Sequence, residues 1–481
     1  LQTFVPNIQE SSVLGYQSGG RVLATGTDHN NKEGHAGGYA GLVLGGQIWG
    51  TESMPCKVTG LRQVRGTNSV GGFAGSILPG SALTVDVASN SGLLSGILGK
   101  LLTNSNDLAS VLNATVSTVR NASVEAWDSW GLEIDGAYTT NQNEMTQYAP
   151  TVGGFAGTIS GAVLGERKAA TSSVSVTNVK RVVGGEHAGG FFGLADVSAL
   201  AQVGDNSSKP ILGLIKLGEV DVLDTFRTYI YHGKVTGSTT HGLSVESHTE
   251  KEEGTLQSKV YTGNAGGFGG SLLDGSVKNS EVEGLAYVAG KNYCGGFVGH
   301  MGRSGAIDLD KAATGGLISG LLNATAGVMD NFGSHVEDSI VTGRQGGYEV
   351  HSQGGKDPMA GGFSGYTDLA KIYRCQAKDL KLVESDQIAG GFAGKTSFSY
   401  LAEIDAGSAK LLDPVFAVVT KLLDLLYIDE LENVNAIEIE IPGLSKLLKL
   451  ELLKDGKLLG VTLLGLDITV ELVKNAGPDG K

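Results

Sequence analysis

Two groups of carboxylates stand close enough along the chain to suggest acid–base chemistry. Asp308, Asp310 and Asp330 form one group, in one excursion between the chain's repeats; Glu133, Asp135 and Glu144 form the other, in another such excursion. Two carboxyl groups held at a fixed separation can split a glycosidic bond, one giving a proton while the other activates water or attacks. Neither group fits a calcium loop, because Asp308-Leu309-Asp310 lacks the later oxygen ligands. Both therefore read as solvated surface carboxylates. His35 and His187 each stand two residues before a paired glycine. Equivalent places suit a packing or turn role better than a metal pair. The three cysteines, Cys56, Cys294 and Cys375, are too few and too scattered for a disulfide framework in a chain this long. These residues yield no catalytic, cofactor-binding or metal-ligating set.

The elements that carry them are repeats. Two glycines, an aromatic, one small residue and usually a glycine recur eight times, beginning at Gly37, Gly71, Gly153, Gly189, Gly266, Gly295, Gly361 and Gly390. The steps between copies are 34, 82, 36, 77, 29, 66 and 29 residues. Short and long steps alternate, so the higher unit is a pair of coils repeated four times, with an excursion after each pair. The first and third excursions share Gly92-Leu93-Leu94-Ser95-Gly96 and Gly316-Leu317-Ile318-Ser319-Gly320. Duplication of a two-coil unit accounts for this. Repeat arrays usually serve as scaffolds or surfaces.

Each motif follows residues that favour strands. Ser173 to Val179 alternates polar and apolar side chains, as a half-buried strand does, and Val277 to Tyr287 and Ile372 to Val383 behave alike. Glycine supplies 75 of 481 residues without a three-residue period, which excludes collagen. Paired glycines suit a sharp turn or a close approach of backbones. The aromatic would then point inward and stack on its counterpart in the next coil. Eight coils about 4.8 Å apart give a rod on the order of 40 Å long. The cysteines fit this register: Cys294 takes the slot held elsewhere by Ala36, Val70, Val152, Ala188, Ala265, Ala360 and Ala389, while Cys56 and Cys375 lie 15 residues before Gly71 and Gly390. They read as free, buried fillers. The pattern predicts an all-β solenoid, a right-handed parallel β-helix over 1–400 with short helical excursions between coils. Residues 401–481 read as a C-terminal cap or a transition to a following domain, with a hairpin around Lys454-Asp455-Gly456-Lys457.

Val152-Gly153-Gly154-Phe155-Ala156-Gly157, preceded by Ser/Thr/Val strands, resembles the GLUG-type repeat of large bacterial surface proteins, including adhesins and immunoglobulin A peptidases. The aromatic and the long excursions depart from that repeat's usual Val-Gly-Gly-Leu-Val-Gly. The resemblance covers 37–394 as a motif pattern and implies a β-solenoid on a bacterial surface. No His-Glu-x-x-His helix occurs, so it carries over no peptidase residue.

Composition fits an extracellular setting. The net charge of −14 makes nucleic acid a poor partner. No apolar run is long enough for membrane insertion, since Leu411 to Tyr427 is broken by Asp413, Lys421 and Asp424. The chain reads as part of a larger secreted or wall-attached protein. Asn113, Asn121, Asn206 and Asn323 head Asn-x-Ser/Thr triplets, which matter only in a eukaryotic secretory host. Ser91 to Val119 places Leu93, Leu94, Ile97, Leu98, Leu101 and Leu102 at helical spacing; Pro210 to Leu223, Gly315 to Met329 and Leu411 to Tyr427 are counterparts. Segments that differ on a constant frame are where specificity is built. The leading expectation is a non-enzymatic cell-surface adhesin or binding region that engages a host or microbial glycan or protein. Contact is expected within 76–150, 194–262 or 300–358. The alternatives are a polysaccharide lyase or glycosidase, or a purely structural display stalk.

Overall fold

The computed structural model describes residues 6–26, 34–80, 116–136, 138–140, 145–147, 149–168, 173–197, 227–253, 256–302, 333–368, 370–397, 436–439, 448–453, 457–463 and 466–468. Between Asn7 and Ser397 the described residues form eight coils of a parallel β-helix. Each coil visits four sheets in the same order. In the second coil these strands are Gln47–Trp49 (sheet I), Cys56–Arg65 (sheet II), Ser69–Gly71 (sheet III) and Ala74–Leu78 (sheet IV). Every strand of sheets I, III and IV pairs in parallel with its equivalent in the neighbouring coil.

The pairing of coils is visible in sheet II. In the second, fourth and sixth coils its strand runs unbroken, over Cys56–Arg65, Val174–Gly184 and Glu281–Gly290, with a left-handed residue at mid-strand: Gly60, Asn178 or Gly284. In the odd coils a short turn replaces that residue, at 15–19, 127–131, 238–242 and 344–347. The corner from sheet I to sheet II also uses a single left-handed residue in six coils: Glu10, Asn121, His232, Asn279, Asp338 or Arg374. One such residue redirects the chain without spending length. The Asn121 amide donates to the Gly50 carbonyl at 3.0 Å, which ties that corner to the coil before it.

The repeated motif makes the corner between sheets III and IV. None of its glycines has a left-handed φ. They are glycine because other backbone occupies the space a Cβ would need. At Gly71 that Cβ would meet the Ala74 carbonyl oxygen, and at Gly154 the Gly190 carbonyl oxygen. At Gly75 it would lie 2.8 Å from Ala36 N and 2.8 Å from Ser69 O, across the corner. Hydrogen bonds continue through the corner, with Gly72 N donating to Gly154 O at 2.9 Å and Phe73 N to Phe155 O at 2.8 Å. This ladder fixes the aromatics in register. Tyr39, Phe73, Phe155, Phe191, Phe268, Phe297, Phe363 and Phe392 form one stack, with centroids 4.6–4.9 Å apart and planes within 10°. Phe73 to Phe363 are fully buried, whereas Phe392 at the last coil is 40% exposed. Val58, Leu61, Val64, Val70 and Ile77 fill the rest of the second coil. Burial of each such side chain contributes about 1.5–3 kcal/mol.

Cys56 pairs in register with Ala122, which pairs with Val174, and Cys294 lies between Ala265 and Ala360. Both thiols are free and buried. Cys375 is also free but only partly buried, a departure from the expectation, because it lies in the last coil. Burial pushes the Cys294 thiol up to about 12, so its thiolate is scarce at neutral pH. A thiol reagent added to the native protein should therefore modify Cys375 first, with Cys56 and Cys294 reacting only on unfolding. Equal rates at all three, followed by mass spectrometry, would contradict this burial order.

Several boundaries differ from the sequence reading. The run 277–287 contains a corner, so it is two strands, Ser276–Lys278 and Glu281–Gly290. Ser117–Arg120 is a strand of sheet I, so the proposed helix of Ser91 to Val119 cannot reach Val119. The rest of that helix and its three counterparts lie outside the described residues. The excursions all depart after sheet IV of every second coil, beyond Leu78, Asp196, Gly302 and Ser397. Much of each long step is not excursion at all but sheets I and II of the next coil. Beyond residue 400 a separate compact unit contains the antiparallel strands Ala436–Ile439, Leu448–Leu453, Lys457–Leu463 and Leu466–Ile468. Leu453 faces Lys457, as the expected hairpin requires.

Candidate functional site

Outward side chains of sheets III and IV touch across the glycine corner. His35 Nδ1 lies 2.9 Å from Ser76 Oγ, and His187 Nδ1 lies 2.9 Å from Ser271 Oγ. The two histidines thus play one role, each tying sheet III of its coil to sheet IV of the next. Asn264 Nδ2 donates to the same Ser271 hydroxyl at 3.0 Å. Further along, the His300 ring stacks on Tyr366 with centroids 5.4 Å apart, and Tyr293 leans on both. Burial takes His187 and His300 down to about 4, with His300 adding a smaller repulsive effect at His187. Both imidazoles are neutral at pH 7.

Glu133 and Asp135 are not on an excursion. They lie on the strand Leu132–Asp135 of sheet II. Glu133 accepts from Lys180 Nζ at 2.7 Å. Asp135 takes the Arg65 guanidinium through both oxygens, at 2.6 and 3.2 Å, and is only 6% exposed. The sequence expected solvated carboxylates; parallel register instead sets each opposite a cation on an adjacent coil. Glu144, Asp308, Asp310 and Asp330 lie outside the described residues.

A denser cluster sits where sheet II grows an antiparallel extension. Leu243–Glu253 runs past the coil and pairs with Leu256–Tyr261 and Met145–Gln147, which pairs with Tyr138–Thr140. At its base Glu246 is 5% exposed and His248 fully buried. Glu246 faces Lys259, Arg181 at 3.9 Å and His248 Nδ1 at 3.6 Å. His248 Nε2 lies 3.3 Å from Glu250, which Arg181 also approaches at 3.5 Å. Burial pulls the His248 pKa down, and Glu246 partly offsets it. On neighbouring coils His351 stands between Glu384 at 3.0 Å and Glu349 at 3.2 Å, and Lys381 holds Glu349 below the usual carboxylate range. These are two separate clusters of two carboxylates each, and every one of the four is held by a cation or an imidazole. A ligand here would have to displace ion pairs, which is costly where they are buried.

The odd-coil turns of sheet II make a ridge of a different kind. Trp127 and Trp130 lie on the third-coil turn, 41% and 54% exposed, and Tyr16 on the first-coil turn is 75% exposed. A Cβ placed on Gly19 would lie 3.3 Å from the Trp127 ring, so the first two turns adjoin. Trp130 meets the His241 ring edge-on at 4.5 Å, and Arg344 donates to the His241 carbonyl at 2.6 Å. Four successive odd coils are thereby joined across the sheet. Sequence reasoning passed over this turn. A signal was there: Trp127-Asp128-Ser129-Trp130-Gly131 puts two of the chain's three tryptophans into a turn-like stretch.

Comparison with family models, curated proteins and solved structures finds no match to this chain. The chemistry must be read from its own surface. Among the described residues, no three His, Cys, Asp or Glu side chains converge to hold a metal ion. The corner polar groups are bonded to one another and the carboxylates are paired. The ridge presents wide apolar rings to solvent.

Proposed function

We propose that this chain is a non-enzymatic, extracellular binding region of a bacterial surface protein, an adhesin that engages a host or microbial glycan or protein. The observation that carries the reading is where variation enters. The frame repeats coil by coil. The segments that break its regularity issue from three places: the exit of sheet IV after every second coil, the mid-strand turns of sheet II in alternate coils, and the antiparallel extension beyond sheet II in the third and fifth coils. A constant frame that places variable segments in rows suits the display of a recognition surface. The likeness of the Gly-Gly-Phe phrase to GLUG-type repeats and the acidic composition support the same reading.

The test is saturable retention on immobilised surface polysaccharides and on epithelial glycoproteins, with product release assayed in the same wells. The expected outcome is retention of the intact chain without release of sugar. A stalk that merely displays another domain would give no retention. Liberated oligosaccharide would replace the binding reading with that of a lyase or glycosidase acting through the carboxylates around Glu246 and Glu349.

A further inference from the structure

We infer that the turn 127–131 is a glycan-binding platform, with Trp127 and Trp130 stacking against the rings of a neutral polysaccharide. This rests on the binding reading above and deepens it. The chain has three tryptophans. Trp49 is anchored, its indole N–H donating to Thr118 Oγ1 at 2.8 Å and the Arg120 guanidinium lying 5.0 Å from its ring. The other two stand on one turn and are 41% and 54% exposed.

The turn is held from several sides. Trp127 N donates to Leu61 O at 2.8 Å on the coil before. The Asp128 carboxylate accepts from Trp130 N at 3.0 Å, and the Asp128 carbonyl accepts from the Asn178 amide. From the fifth coil, Ser238 Oγ donates to the carbonyls of Ser129 and Trp130, each at 3.0 Å, and Thr240 Oγ1 to Ser129 at 3.2 Å. Lys180 covers the Trp130 ring at 4.6 Å and is itself neutralised by Glu133. Large rings exposed on a backbone this constrained have little ordering entropy left to lose on binding. A rigid exposed aromatic patch within a polar rim is a recognition surface by its physics.

The chemistry of the rim selects the ligand. The C–H bonds on one face of a pyranose ring carry partial positive charge, which matches the negative face of an indole. Its hydroxyls suit Asp128, Arg62, Thr239 and Thr240, which are exposed beside the rings. An anionic polymer or an anionic lipid surface would meet a chain of net charge −14. A neutral glycan meets no such penalty.

The experiment is affinity electrophoresis of the whole chain through native gels cast with β-glucan, mannan, galactan or xylan, with alginate as the anionic probe. Wild type should be retarded by at least one neutral polymer. Trp127→Ala and Trp130→Ala should each weaken that retardation at least tenfold. Trp127→Phe, which keeps an aromatic face, should restore part of it. A unchanged urea midpoint for each variant separates lost contact from lost fold, and Trp127→Phe decides should an alanine variant unfold. Retardation of wild type by alginate alone, by no polymer, or equally in the double tryptophan variant overturns the assignment. So does a protein ligand whose capture needs Trp127 when no neutral polymer binds. Surface retention that survives loss of both tryptophans would sink this site while leaving the adhesin reading intact; wild type that is retained on nothing would sink both.

Discussion

Phe268→Ala is expected to destabilise the solenoid by about 3–5 kcal/mol, the range for deleting a large aromatic from a core that cannot close over the gap. The ring lies between Phe191 at 4.9 Å and Phe297 at 4.7 Å, with Phe192 meeting it edge-on at 5.7 Å. It is fully buried. Its neighbours cannot slide into the space, because each is fixed by backbone bonds of its own corner: Phe191 N donates to Phe268 O at 2.7 Å and Phe268 N to Phe297 O at 2.8 Å. The local packing has adapted to large rings. Phe192 occupies a slot that holds alanine in four other coils, and the residue opposite it in the next coil is Gly269, where a Cβ would strike the Phe192 ring. Phe392→Ala provides the contrast. That ring is 40% exposed and, among the described residues, has a stacking neighbour on one side only, Phe363 at 4.9 Å. Its loss should cost far less. Urea unfolding of the two variants reads the difference, and equal costs would mean that the stack does not hold the coils together.

The register of this fold was legible in the sequence because it repeats. Eight copies of one phrase locate eight corners, and the slots of Cys56 and Cys294 follow by counting. What repeats only in conformation was hidden. Asn279 and Arg374 turn the chain within runs that read as continuous strands, since a single left-handed residue leaves no gap in the polar–apolar pattern. The same blindness moved Glu133 and Asp135 into an excursion. Their strand follows the turn 127–131, and a turn inside a strand looks like the end of one. Pairing across coils was hidden for another reason. Arg65 and Asp135 are 70 residues apart, and nothing local tells that parallel register sets them side by side. The tryptophan turn escaped for the opposite reason: it is local and odd, but it belongs to no repeat.

Gly154→Ala should be as damaging as removal of a core ring, although it adds one methyl group. The new Cβ would be driven into the Gly190 carbonyl oxygen of the next coil. Overpacking usually costs about 1–3 kcal/mol and sometimes more; the upper end applies where the obstacle is backbone, which has no rotamer to change. Gly154 and Gly190 are also tied into the corner ladder, Gly154 N to Gly189 O at 3.0 Å and Gly190 N to Gly266 O at 3.2 Å, so relief by movement would break bonds on both sides. Gly391 occupies the same motif position in the last coil. Among the described residues nothing lies within 4 Å of its would-be Cβ, and its φ is not left-handed. There the substitution should be neutral, or stabilising by up to about 1 kcal/mol, because alanine restricts the unfolded chain. One substitution at two equivalent positions is thus expected to change sign according to whether another coil lies above it. Thermal melts of the two variants measure this directly. If Gly154→Ala melts with wild type, the motif is glycine for some reason other than close stacking. If Gly391→Ala is as damaged as Gly154→Ala, the backbone conformation and not the neighbouring coil sets the requirement.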